Sequence, residues 1–264
     1  MAHAERQGNA QGEMGESGAA VAISGDSLSM RATTRYRSTG RFLLESVEGM
    51  LVIFLVLLSW PLSRRWLADW GSTPEERQRA WPGDTLVDPH HQTFTRAVTI
   101  GADPCWVWEW IAQFGLGRAG FYSYELLERV VGIPVRNVEE VLPHLQKIEV
   151  GDEVKLHPDA PGIPVAIAKP CSCLCFGGEG GAAQESPPDP SRSWSIYLEP
   201  LSDSSVRLLV RTCLGPLRKP NLRARIALAL EAPIDFAMEQ RMLRTVKRLA
   251  EGSAARGYAV ARDS

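Results

Sequence analysis

The features that usually announce an enzyme or a nucleic-acid protein are nearly all missing from this chain. There is no G-x-S-x-G, so no nucleophile elbow, and no C-x-x-C with a histidine pair that would complete a metal site. No basic stripe with interleaved aromatics runs along it, and the net charge is −2, so no nucleic-acid partner is expected. Cysteine is scarce and odd in number. Of the five, three crowd into Cys171-Ser172-Cys173-Leu174-Cys175. A disulfide framework is therefore not expected, and a reducing surrounding is the mild inference. On an extended strand, alternate thiols stand about 6.6 Å apart, whereas two thiolates on one zinc lie within about 4 Å. These cysteines read as strand-lining thiols, with no metal and no cofactor.

Long apolar runs are also short of what a bilayer asks. The strictly uncharged stretch Gly49 to Leu62 falls below the roughly 20 residues that cross one. Extending it back to Phe42 reaches that length and includes Glu45 and Glu48 near one end, where charge costs less than at the centre. Residues 42–66 therefore read as a single-pass membrane anchor through 42–62, with Trp60, Trp66, Arg64 and Arg65 at its far interface. The other reading is a buried or interfacial amphipathic helix. Arg31, Arg35, Arg37 and Arg41 flank the near end, so the side of the following domain stays open, with the cytoplasmic one favoured. A cleaved signal peptide fits worse, because no small-residue cleavage site follows the run.

What is present is organised. Residues 1–41 are rich in Gly, Ala, Ser and charge and read as a disordered tail. Residues 67–93 read as a connector, with Ser72 or Thr73 capping a short helix at Pro74. From Phe94 the pattern changes. "FTRAVTI" is strand-like, Asp103 and Pro104 open a helix, and Val107, Trp110, Ile111 and Phe114 share one helical face up to Gly115. A second short helix fits Ser123 to Val131. Period-two segments follow: "IEVGDEVKL", "GIPVAIAKP", "CSCLCF", "SWSIYLEP" and "SSVRLLVRTC", with "GGEGGAAQESPPDPSR" as a long flexible loop. Arg207 and Arg211 alternate opposite the apolar face of their strand and are expected in solvent. A closing helix carries the stripe Ile234, Met238, Met242, Val246 and Leu249, extended upstream through a kink at Pro233, before a tail at 253–264.

Gly115-Leu116-Gly117-Arg118-Ala119-Gly120 matches the dinucleotide pattern G-x-G-x-x-G, and Glu139 and Glu140 stand near the ribose-binding position. The pattern must leave a parallel strand and enter a helix. Here a helix precedes it, and the later strands follow one another without helices, as in an antiparallel meander. The glycines read as a helix stop and a tight connection.

The same block, "VWEWIAQFGLGRAGFYSYELLERVVG", preceded by "RAVTIGADP" and followed by "LQKIEVGDEVKLHP", resembles a bacterial, membrane-anchored group of the SRPBCC superfamily (START-like, polyketide cyclase/dehydrase-like). The resemblance runs through "DWGSTPEE", "PGDTLV" and "FAMEQRMLRTVKRLAEG", covering about residues 66 to 252, and Gly117 to Glu125 is its most specific part. It implies an α+β helix-grip fold for residues 94–252: a curved antiparallel sheet around a long C-terminal helix, an apolar cavity between them, and an N-terminal hydrophobic helix. The element order agrees. Six strands are legible where the fold usually has seven, and Val135–Leu142 is the place for the missing one.

The residues singled out for ligand binding are Arg118, Tyr122, Tyr124, Glu125, His157, Met238 and Met242. The first four bring a guanidinium, two phenols and a carboxylate to the expected cavity mouth, suited to orienting a polar head on an apolar ligand. The competing reading pairs Arg118 with a carboxylate and leaves the tyrosines as a core cap. His157 is a candidate base in the cavity, or a solvated histidine at a strand end. No catalytic pair stands at a telling spacing. The chain reads first as a module binding a lipid or other small hydrophobic molecule at a membrane, without catalysis. The alternative is a cyclase/dehydrase-type enzyme using acid and base groups in the same cavity.

Overall fold

The computed structural model describes residues 39–87, 89–90, 92–177, 192–202, 204–215 and 222–263. Residues 1–38 of the expected tail 1–41, and 178–191 of the expected loop 177–192, lie outside the described residues. Six strands make one antiparallel sheet: β1 (Gln92–Ile100), β2 (Glu153–Val154), β3 (Ile163–Lys169), β4 (Cys173–Gly177), β5 (Arg192–Ser202) and β6 (Ser205–Leu214), in the order β1-β6-β5-β4-β3-β2. Two helices fall between β1 and β2. Helix α3 (Pro104–Ala112) opens as its sequence signal demands, with Asp103 Oδ1 accepting the Cys105 N–H at 2.8 Å and Pro104 in the first turn. Helix α4 (Glu125–Val130) stops before Gly132, whose φ of +88 suits a residue without Cβ.

Helix α5 (Leu222–Asp263) runs unbroken through Pro233 and closes the inner face of the curved sheet. Strand parity decides what it meets. Leu174, Phe176, Ile196, Leu198, Val206, Leu208 and Val210 share one face and form one core with Met242, Leu243, Val246 and Leu249 of α5. Of the expected stripe, Met242, Val246 and Leu249 are buried, while Ile234 and Met238 sit half-buried at its edge.

The opposite sheet face differs from expectation. Residues 67–93 are not a bare connector. Thr73 and Glu76 form a capping box that starts α2 (Pro74–Gln78), and a 3-10 turn follows at Pro82–Leu86. This strap lays Trp81 on Tyr197, with ring centroids 4.5 Å apart, beside Ala97, Cys175 and Leu209. Gly83 comes so close that a Cβ there would stand 2.2 Å from Ser195 Oγ. Arg207 and Arg211 therefore do not face solvent. Arg207 pairs with Glu76 and Arg211 with Asp84, each at 2.6 Å.

Three further expectations are corrected. Cys171 is not a strand-lining thiol: it turns with a φ of +57 and forms a disulfide with Cys105, while Cys173, Cys175 and Cys213 are buried and free. Val135–Leu142 holds no named strand, and "IEVGDEVKL" contributes only the two residues of β2, because their backbone groups bond to loops (Leu116 N–H to Lys155 O, Val138 N–H to Ala119 O). Finally, α3 ends at Ala112, three residues before Gly115, which instead bridges to Gly120.

The apolar run 42–62 lies within α1 (Thr39–Ala68). Glu45 and Glu48 turn to Arg241 of α5, at 2.7 Å and 3.3 Å, and Gly49 lets the Tyr124 ring approach closely. No described helix is long and apolar enough to cross a membrane.

Candidate functional site

Between α3, α5 and the inner sheet face lies a void of about 10 Å³, about the space of one water molecule. Trp110, Phe114, Tyr122, Leu208, Met242 and Val246 are among its lining residues, and its wall presents no polar atom. It is small because aromatic side chains fill the grip. Phe114 packs against Phe121 and Trp194 with centroids 5.1 Å and 5.0 Å away, and Trp194 stacks on Phe176 at 5.3 Å. A wall without polar partners favours dryness, since water needs hydrogen bonds to stay.

Of the seven residues expected at the site, two reach this void: Tyr122 and Met242. Tyr122 is fully buried at a φ of +57, and its hydroxyl accepts from Gln113 Nε2 at 2.8 Å. Burial pushes its phenol well above the usual range, with the Gln113 hydrogen bond working against that. Arg118 turns elsewhere. Its Nη2 donates to the carbonyls of Ala112 and Leu145 at 2.9 Å and 3.0 Å, capping the end of α3, and desolvation lowers its pKa. Tyr124 faces α1, where its hydroxyl donates to Glu48 Oε1 at 3.4 Å. Glu125 Oε1 accepts the Asn137 N–H at 2.8 Å. His157 is half-buried, with Nδ1 accepting from Asp159 N–H at 3.2 Å, and Met238 is half-buried on α5. Glu125 and His157 do not line the void.

The block Gly117 to Glu125 thus works as a clasp, and its hub is Asn137. Asn137 Oδ1 accepts from Phe121 N–H at 3.0 Å and Tyr122 N–H at 2.6 Å, while Nδ2 donates to the Ser123 carbonyl. Gly120 leaves room for it, since a Cβ there would stand 2.6 Å from Oδ1. Sequence reasoning passed over Asn137 and also Gln113, a fully buried amide on the apolar side of α3. A polar residue three positions after Trp110 on that stripe was the available signal. It missed as well the buried pair Arg96–Glu239, 3.2 Å apart between β1 and α5, where burial raises the Glu239 carboxyl and Arg96 pulls it back.

Strand order, the helices α3 and α4 between the first two strands, and a long last helix across the inner face decide the architecture. The fold is an α+β helix-grip, a curved antiparallel sheet closed by a long C-terminal helix. No family model matches the sequence, and no match emerges among curated proteins. Solved structures with a likeness to this chain include a protein from Arthrobacter aurescens at 17% identity, covering 61% of this chain and 92% of that one, with a TM-score of 0.32. A polyketide-cyclase-like protein from Corynebacterium glutamicum is 16% identical over 62% and 93%, with a TM-score of 0.31. An aromatase/cyclase from a Streptomyces is 14% identical over 61% and 93%, also at 0.31. At such identities and scores the likeness carries no argument, and the fold stands on the topology alone.

Proposed function

We propose that the grip between sheet and α5 binds a small hydrophobic molecule or lipid at a membrane, without catalysis. The observation that carries this reading is the wall of the void, which presents no polar atom and includes the adaptable Met242. The resting void is far smaller than any such ligand. Binding therefore requires Trp110, Phe114 or Met242 to turn aside, as packed apolar side chains do when a better-fitting occupant supplies the contacts. Chemistry is disfavoured because the one titratable group in the wall, Tyr122, is tied to Gln113 and held neutral by burial.

Native mass spectrometry of the purified full chain should show a small molecule released on denaturation, and an apolar fluorescent probe should compete with it. Leu208→Phe, which fills the void, should reduce that uptake. A chain that carries nothing and takes up no probe overturns the reading.

A further inference from the structure

The outer face of α1 is apolar along most of its length, and it has no partner among the described residues. Leu43, Leu44, Val47, Met50, Leu51, Phe54, Leu55, Leu58 and Leu62 are exposed, Leu44 by 74% and Leu62 by 93%. They recur every three or four positions, so they form one stripe down a helix of 30 residues. The two carboxylates within the run both turn toward Arg241. Contiguous exposed apolar surface of this kind marks an interaction site.

We propose that this stripe lies flat on an anionic lipid surface, with α1 in the plane of the membrane and the domain resting on it. The inference deepens the membrane half of the reading above and is independent of the ligand half. Docking of the inner face argues against crossing. A spanning α1 would leave the domain, carry Glu45 and Glu48 into lipid, strand the half-buried Arg241, and uncover Val56, Leu67 and Phe236. Leu67 is held a second way, because its carbonyl accepts from Arg96 Nε at 2.9 Å.

Charge separates a lipid surface from a second copy of the chain. The stripe is bracketed in sequence by Arg31, Arg35, Arg37 and Arg41 before it and by Arg64 and Arg65 after it, and the two acids between them, Glu45 and Glu48, both pair with Arg241. Two copies meeting stripe to stripe, parallel or antiparallel, bring like charges together at both ends. An anionic leaflet meets both clusters favourably. Trp66, exposed beside Arg64 and Arg65, has the amphipathic ring that sits at headgroup level.

The test uses the full chain and two sets of vesicles, one of phosphatidylcholine and one of phosphatidylcholine with phosphatidylglycerol. Cosedimentation with the anionic set is expected. Leu58→Glu should abolish it with little change in the thermal midpoint, since Leu58 is 70% exposed. Changing Arg64→Gln and Arg65→Gln together should weaken it about thirtyfold. Depth then distinguishes lying from crossing. Fluorophores on Leu44→Cys, Phe54→Cys and Leu62→Cys should all be quenched most by lipids brominated near the headgroup. Quenching of Phe54→Cys by chain-end bromine means a span and overturns the proposal. Self-association abolished by Leu58→Glu, with no vesicle binding, gives the stripe to a second copy and overturns it too. So does a monomer that binds no vesicle. Probe uptake measured on the same samples reports the cavity separately, so loss of one activity does not pass for loss of the other.

Discussion

Met242 and Tyr124 show how two buried side chains of similar bulk answer to different surroundings. Met242 touches the void, so Met242→Ala enlarges a space already empty and loses fewer contacts than in a close-packed core. We expect a loss near the bottom of the range of about 2–5 kcal/mol, with increased probe uptake in the same variant. Arg244→Ala, on the exposed side of α5 over the Trp70 ring, should stay within about 0.5 kcal/mol and leave uptake unchanged. Equal effects from the two would deny that α5 closes a cavity. Tyr124 instead answers to charge. Burial first, then the Glu48 carboxylate, push its phenol up to about 12. Unfolded, a tyrosine titrates near 10, so the folded chain holds its proton longer. The stability this lends is complete below about pH 10 and is lost as pH rises from there through about 12. Tyr124→Phe should flatten that alkaline limb of the stability curve. Glu48→Gln should lower the phenol midpoint in a spectrophotometric titration, and an unmoved midpoint would mean that α1 does not dock there.

At the scale of elements, α3 is held at both ends by groups outside the helix. Arg118 caps its C-terminal carbonyl, and the Cys105–Cys171 disulfide ties its first turn to the turn between β3 and β4, 66 residues on. Closing a loop of that length restricts the unfolded chain, so Cys171→Ser should lower stability by about 2–5 kcal/mol. A reducing agent should bring the wild-type Tm down to that of the variant. If reductant leaves the Tm where it was, the bond contributes nothing to α3.

For the whole molecule, the sheet has two covered faces. α5 fills the inner one, and the strap from Trp70 to Val87 covers the outer one with Trp81 and the Glu76–Arg207 and Asp84–Arg211 pairs. A truncated chain starting at residue 94 would expose Ala97, Cys175, Tyr197 and Leu209 together and strand two arginines whose side chains are 13% and 7% exposed. It should be recovered insoluble or with a melting transition broadened beyond two-state behaviour. A chain starting at residue 69 should keep the strap and fold more cooperatively. A soluble, cooperative fragment from residue 94 would show the strap to be dispensable.

Local chemistry was legible because it acts over a few residues. Asp103 and Pro104 open α3, Thr73 and Glu76 open α2, and the alternation of Ile196, Leu198, Val206, Leu208 and Val210 marks the inner face without knowledge of its partner. Parity says that two sides of a strand differ; it does not say what covers either. Arg207 and Arg211 looked solvated until the strap supplied carboxylates from more than 120 positions away. Cys171 looked like its neighbours until a turn placed it beside Cys105. Asn137 carried no local pattern, since its role is to satisfy backbone groups of another loop. The order of strands and helices and the apolar stripe of α5 follow from residue type and spacing, whereas the docking of α1 through Glu45, Glu48 and Val56 does not. The size of the void, the outer layer and the dispersal of Arg118, Glu125 and His157 were decided only by tertiary packing, because each depends on which distant side chain reaches the space first.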